Sequence, residues 1–98
     1  MRTEQGQIPG QTVVDELRVD GICTGPLVVE SGGVLHLRGM CDGIIVREGG
    51  TAFIRGTCVG DAVNEGGVIE VYGVVTGNLD QSRGTTVVHA DAVIKSTD

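Results

Sequence analysis

The sequence has very few aromatic residues and very little proline. Its 98 residues include one Phe, one Tyr, no Trp and two Pro. Helical bundles and β-sandwiches of this size normally build their cores with more large rings, so the scarcity of aromatics argues against both architectures. The low proline content, together with the lack of a Gly-X-Y period, excludes a collagen-like or proline-rich low-complexity chain.

Positive charge is also scarce. The chain carries 7 Lys and Arg against 13 Asp and Glu, for a formal net charge of −6. Nucleic-acid binding requires clustered Lys and Arg, so the composition excludes that class of partner and favours a protein partner, either a basic protein or a second copy. No apolar run approaches the roughly 20 residues that span a bilayer, which predicts no membrane insertion. The polar N-terminus lacks the apolar core of a secretory signal, so we expect a cytoplasmic protein.

The sequence lacks the patterns that carry catalysis or hold a cofactor. The three cysteines form no Cys-X-X-Cys pair, and a cytoplasmic location predicts reduced thiols. No Ser/His/Asp or Cys/His set is suitably spaced for nucleophilic catalysis, and the glycine-rich stretches do not open helices as phosphate-binding loops do. We therefore assign no catalytic, cofactor-binding or metal-binding residues, and we predict that the protein is not an enzyme.

Glycine is abundant, at 17 residues, against an average usage of roughly 7%. The glycines recur at intervals of 17 or 18 residues and fall into three columns, which a search for internal repeats reveals at once. The columns are Gly21, Gly39, Gly56 and Gly73; Gly25, Gly43, Gly60 and Gly77; and the doublets Gly32-Gly33, Gly49-Gly50 and Gly66-Gly67, followed by Arg83-Gly84. Glycine permits the corners and close backbone approaches of a coiled chain.

This repeat predicts an all-β fold, a single triangular β-helix (β-solenoid). We expect about four and a half coils of 17–18 residues, with three short strands per coil. The solenoid should occupy residues 12–94, between a polar N-terminal tail over residues 1–11 and a C-terminal tail over residues 95–98. Stacked coils of this kind lie about 4.8 Å apart.

Apolar residues alternate between the glycine columns with a period of two, as in strands with one buried face. One predicted inward column comprises Leu17, Val19, Leu35, Leu37, Ala52, Ile54, Ile69, Val71 and Val87. A second comprises Cys23, Cys41, Cys58, Val75 and Val93. The cysteines are best interpreted as a ladder of small buried residues, although the rung spacing would also permit a disulfide between adjacent coils.

The outward face of the first strand column contains both aromatic residues of the chain. We predict a protein-interaction surface there, formed by His36, Arg38, Phe53, Arg55, Glu70, Tyr72 and Val88. Aromatic and Arg side chains among small apolar residues are typical of interface hot spots. The alternative is ordinary cross-strand packing without a partner. A second feature, the acidic cluster of Glu30, Glu48 and Glu65 near the third corner, is expected to be a solvated edge or an attraction for a basic partner.

The repeats GICTG (residues 21–25), GTCVG (56–60) and GVVTG (73–77), each followed by an apolar strand and a glycine corner, carry a family resemblance. Over roughly residues 15–94 the chain resembles the bactofilins, the bacterial polymer-forming cytoskeletal proteins. The resemblance implies a right-handed triangular β-helix that polymerises end to end without nucleotide and acts as a scaffold. We therefore expect a non-enzymatic scaffold or interaction protein that self-associates through its solenoid ends and an exposed strand face, giving a homo-oligomer.

Two alternatives are open. The first is a small acidic immunity protein that binds and neutralises a basic toxin domain, which the acidity and small size favour. The second is a left-handed hexapeptide acyltransferase helix. Leu17, Cys23, Val29, Leu35 and Cys41 fall six residues apart, but the period then breaks and no catalytic base is evident.

Overall fold

The computed structural model of the chain describes residues 2–95, apart from the side chains of residues 81 and 82. These residues form thirteen strands in one parallel sheet that winds around a common core. The strands are β1 (Arg2–Glu4), β2 (Gln7–Ile8), β3 (Gln11–Val13), β4 (Glu16–Val19), β5 (Ile22–Val29), β6 (Val34–Leu37), β7 (Met40–Arg47), β8 (Thr51–Ile54), β9 (Thr57–Cys58), β10 (Ala62–Val71), β11 (Val74–Val75), β12 (Leu79–Val88) and β13 (Val93–Ile94).

The predicted β-solenoid is confirmed, with about five turns. Each strand pairs in parallel with the strand one coil away, and strands β5, β7, β10 and β12 continue around a corner. The coil has three faces. The first holds β1, β4, β6, β8 and the ends of β10 and β12. The second holds β2, the start of β5 and of β7, β9, β11 and β13. The third holds β3 and the remaining parts of the long strands. No helix within the described part is long and apolar enough to cross a membrane.

The core is an uninterrupted set of inward side chains, as the period-two alternation predicts. Leu17, Val19, Leu35, Leu37, Ala52, Ile54, Ile69 and Val71 are all fully buried on the first face. The third face, whose inward positions the sequence left undefined, contributes Leu27, Val29, Ile44, Val46 and Ala62. Burial of each such aliphatic side chain contributes about 1.5–3 kcal/mol to folding, so the repeated ladder supplies a core that a chain of this length otherwise lacks.

The first glycine column marks the place where neighbouring coils approach most closely. A Cβ atom built on Gly56 would overlap the carbonyl oxygen of Gly39, and one built on Gly73 would overlap that of Gly56. At the third corner the requirement is conformational instead, since Gly32 and Gly49 have φ of 83° and 84°. L-residues with side chains rarely adopt that region.

The polar segment that the sequence predicts as a tail over residues 1–11 is part of the solenoid. Strands β1, β2 and β3 pair with β4 and β5, and Ile8 is 8% exposed above Cys23. This coil is the outermost one at the N-terminal end, so most of its side chains meet water and are polar. That is why it does not show the apolar pattern of the inner coils. The predicted tail over residues 95–98 begins at Lys95, and residues 96–98 lie outside the described residues.

The last coil differs from the prediction by one position. Val88 pairs with Val71 and Val87 with Glu70, so Val88 lies in the inward column and Val87 faces outward, the reverse of the assignment from sequence. The spacing of 17 residues continues to the end of the chain. Asn64, which is buried, supports this register because its Nδ2 donates to the Thr86 hydroxyl at 3.2 Å and to the Thr85 carbonyl at 2.9 Å.

The second inward column is shifted at its end in the same way. Ile94 pairs with Val75 below Cys58, whereas Val93 pairs with the outward Val74. Ile94 packs against the core, while Val93 is 46% exposed. Both shifts occur where the glycine pattern weakens, so the sequence offers less to define the register there.

The close backbone approach at Gly56 predicts a specific sensitivity. Gly56→Ala should lower the free energy of unfolding by about 1–3 kcal/mol, because the new methyl group must displace the neighbouring coil. Gly43→Ala is the matched control: the nearest atom to its Cβ is the Asp61 carbonyl oxygen at 3.4 Å, an ordinary contact. Urea denaturation of both variants measures the difference, and an equal loss of stability in the two would contradict this account of the corner.

Candidate interaction surfaces

Six of the seven predicted interaction residues lie together on the outside of the first face. His36, Phe53 and Glu70 occupy one outward column on successive coils. Arg38, Arg55 and Tyr72 occupy the next outward column, at the corner. The seventh, Val88, is not on this face, because it stands in the inward column at the C-terminal end of the solenoid. We refer to His36, Phe53, Arg55, Glu70, Tyr72 and His89 as the first-face ladder.

The rings of the first-face ladder stack on one another across coils. The centroids of His36 and Phe53 lie 5.2 Å apart with an interplanar angle of 13°. Those of Tyr72 and His89 lie 3.9 Å apart at 10°. The Arg55 Cζ atom lies 4.4 Å from the centroid of the Tyr72 ring, within the range of a cation–π contact. The strands thus present rings and a guanidinium as a flat, ordered surface.

Glu70 connects the lower half of the ladder. The Tyr72 hydroxyl donates to Glu70 Oε1 at 3.1 Å, and the same oxygen lies 3.1 Å from His89 Nε2. Partial removal of water from the Tyr72 hydroxyl, followed by its hydrogen bond to the Glu70 carboxylate, raises the pKa of the tyrosine. His36 Nε2 makes a similar contact of 3.1 Å with Glu16 Oε2.

His89 is a ladder residue that the sequence analysis did not identify. Its assignment depended on the register of the last coil, which the sequence predicted one position out. The 17-residue interval from Tyr72 to His89 was the signal that could have found it. The observed contacts show that the ladder side chains pack on one another. That they also bind a partner stays a prediction.

The cysteine column is a buried ladder of free thiols. Cys23, Cys41 and Cys58 are 2%, 1% and 0% exposed and are not joined by disulfides. The Cys23 thiol lies within hydrogen-bonding distance of the Gly25 carbonyl oxygen, at 3.2 Å. The hydrogen bond with Cys58 and burial both raise the pKa of the Cys41 thiol, which keeps it protonated and unreactive. Within residues 2–95, no group of three or more His, Cys, Asp or Glu side chains is placed to hold a metal ion.

The predicted acidic cluster is partly neutralised. Arg47 lies between Glu30 and Glu65 on successive coils, with N–O distances of 3.4 and 3.7 Å. Glu48 is exposed one position further along the chain. The third-face edge therefore alternates in charge, which avoids the repulsion expected of carboxylates on neighbouring rungs.

The second face carries an exposed apolar groove that the sequence analysis missed. Its rim is formed by Ile22, Met40 and Val59, which are 52%, 41% and 45% exposed. The groove has a volume of about 240 Å³, and the thiols of the cysteine ladder lie at its floor. The available signal was the outward position of these residues, next to each inward cysteine, but only the first face was searched for exposed apolar residues.

The two ends of the solenoid differ in character. At the N-terminal end, Arg2 and Glu4 stand in register with the buried Leu17 and Val19. Arg2 Nη2 and Nε donate to the two carboxylate oxygens of Asp15 at 2.8 and 2.9 Å. This hydrogen bonding lowers the pKa of the Asp15 carboxyl. Charged side chains therefore stand over the core at this end and discourage further strand pairing.

The C-terminal end is apolar by comparison. Among the described strands, β12 and β13 are each paired on one side only, with β10 and β11. Leu79, Ala92 and Ile94 pack only partly against the core, and Val88 is 42% exposed in the inward column. This end presents open strand edges around an incompletely covered core.

Comparison with known proteins found no matching family model, no matching curated protein and no matching solved structure.

The hydrogen bond from Tyr72 to Glu70 predicts a measurable titration. The chain contains one Tyr and no Trp, so phenolate absorbance reports this residue alone. Its midpoint should lie above the ordinary value of 10.0. Glu70→Gln should lower the midpoint, because the variant removes the negative charge that opposes ionisation. Glu48→Gln, which removes an exposed carboxylate elsewhere, should leave it unchanged. An unshifted midpoint in the Glu70 variant would contradict the contact.

Proposed function

We propose that this protein is a non-enzymatic, bactofilin-like scaffold of the cytoplasm that assembles with copies of itself through a solenoid end and the first-face ladder. The observation that carries the proposal is the C-terminal end, where the open edges of β12 and β13 surround the partly exposed Val88 and Ile94. Unpaired strand edges of this kind are templates for pairing with another chain. The β-solenoid fold itself is compatible with a scaffold.

The difference between the ends supports assembly through one end in particular. A copy approaching the N-terminal end meets Arg2 and Glu4 over the core, and these charges would have to lose water without a partner. A copy approaching the C-terminal end meets Val88 and Ile94 instead. Pairing two C-terminal ends would cover apolar side chains on both copies and satisfy strand edges on both.

The dimensions of the molecule indicate how strong such a contact can be. The molecule extends 31 × 24 × 21 Å, so one end offers on the order of 400 Å² per copy, below the roughly 800 Å² per partner of a standard interface. Association through one end should therefore be weak and dependent on concentration. The first-face ladder, as a second contact, would allow larger assemblies.

A non-enzymatic role is supported by where the chemically capable side chains lie. His36 and His89 face carboxylates on an open sheet surface, whereas catalytic groups usually converge in a concave pocket. The three thiols are buried and face backbone carbonyls or each other. The alternative, a small acidic inhibitor of a basic toxin domain, is favoured by one specific observation, the acidic groove of the second face.

Val88 provides the test of the end contact. Val88→Lys should shift light scattering from a concentration-dependent oligomer to a monomer, because it places a charge inside the proposed contact. Val14→Lys is the control, since Val14 is 63% exposed and lies near the N-terminal end. The scaffold proposal fails if the unmodified protein stays monomeric at high concentration, or if both variants associate as it does.

Phe53 provides the test of the first-face ladder. Phe53→Asp should leave the far-ultraviolet circular dichroism largely intact, because the ring is only partly buried outside the core. It should abolish the assemblies larger than an end-to-end pair, because a charge replaces the ring that stacks on His36. Size-exclusion chromatography with light scattering measures this. Loss of the fold, or an unchanged distribution of assemblies, would count against the face as a contact surface.

A further inference from the structure

The groove on the second face combines apolar exposure with a single kind of charge. Ile22 and Met40 stand side by side in register, and Val59 follows on the next coil. Of the seven residues that line the groove, Asp42 is the charged one. Its carboxylate has no hydrogen-bond or ion-pair partner among the residues that the structure describes. An apolar surface beside an unpaired carboxylate is suited to a ligand that carries both an apolar and a cationic group.

A second carboxylate strengthens the negative charge beside the groove. Asp61 follows Val59 by two residues, and its carbonyl oxygen accepts the Ile44 backbone N–H at 2.9 Å, which places it one coil below Asp42 at the corner. The side chain of Asp61 is held in place, because its Oδ1 accepts the Asn78 backbone N–H at 2.9 Å. The corner that borders the groove is therefore acidic on two successive coils.

We propose that this groove binds a segment of a partner protein in which an apolar side chain is flanked by lysine or arginine. The apolar side chain packs between Ile22, Met40 and Val59, and the cation pairs with Asp42. Methionine suits such a site because its flexible thioether adapts to differently shaped side chains. The net charge of −6 favours the approach of a basic partner from a distance. This binding uses a different face from the proposed self-association and is independent of it.

The same charges disfavour a second copy as the occupant of the groove. In a two-fold symmetric contact the same patch meets itself. Asp42 of one copy would then approach Asp42 of the other across an apolar surface, with Asp61 nearby on both. Like charges brought together at an interface oppose association. A foreign basic segment meets no such repulsion.

A pair of synthetic peptides tests the proposal with the full chain. The first is a dye-labelled amphipathic helix of Leu and Lys, and the second is its twin with Glu in place of Lys. Fluorescence anisotropy should show that the Leu/Lys peptide binds and the Leu/Glu peptide does not. Met40→Ser and Asp42→Asn should each weaken binding about tenfold, the effect expected of a central interface residue. Both side chains are exposed, so each variant should fold.

Two controls separate this groove from general acidity and from self-association. Glu48→Gln removes one negative charge at an exposed position outside the groove, and it should change the affinity less than about twofold. Val88→Lys should leave peptide binding unchanged whether or not the protein assembles through its end.

Three outcomes would overturn the proposal. The first is no binding of the Leu/Lys peptide. The second is an equal loss of affinity in the Glu48 and Asp42 variants. The third is a dimer that Met40→Ser dissociates, which would make the groove a contact between copies.

Discussion

The parallel backbone pairing of each coil with the next is the constraint on which the whole structure depends. Pairs such as Leu37 with Ile54, and Ile54 with Val71, repeat at a constant interval. Equivalent positions are therefore held about 4.8 Å apart along the solenoid. A corner position must then be glycine where backbones nearly touch, and an inward position must be apolar because its neighbours above and below are apolar. The same spacing brings the outward rings into stacks, so the first-face ladder follows from the register as much as from the side chains.

This constraint also decides where the molecule can interact. Inner coils satisfy their backbone groups on both sides, whereas the outermost coils each leave one edge without a strand partner in the described chain. The N-terminal edge is covered by charged side chains, including Arg2 with its ion pair to Asp15. The C-terminal edge surrounds a partly exposed core that includes Val88. The three faces differ as well: one bears stacked rings, one an apolar groove and one alternating charges. A single repeat thus carries several distinct surfaces.

The sequence was sufficient for the fold wherever a position recurs in several coils. The glycine columns and the alternation around Leu35 and Ile54 identified the solenoid, the inner core and six residues of the outward face. It was insufficient at the ends, where a coil has one neighbour and its side chains respond partly to water. The polar first coil therefore resembled a tail. In the last coil, Val87 and Val88 are both apolar, and composition alone does not say which faces inward. The groove was missed for another reason, because Ile22 and Met40 are outward residues on a face that the search for exposed apolar side chains did not include.

Nuclear Overhauser contacts between coils in solution test the central claim most directly. The register of the solenoid predicts backbone contacts between Cys41 and Cys58, between Leu37 and Ile54, and between Ile8 and Cys23. The last pair reports the first coil, and a contact between Val71 and Val88 reports the last one. Observing all four would establish parallel stacking from the first coil to the last. Contacts typical of antiparallel hairpins, or the absence of contacts between residues one coil apart, would contradict the solenoid and every surface assigned to it.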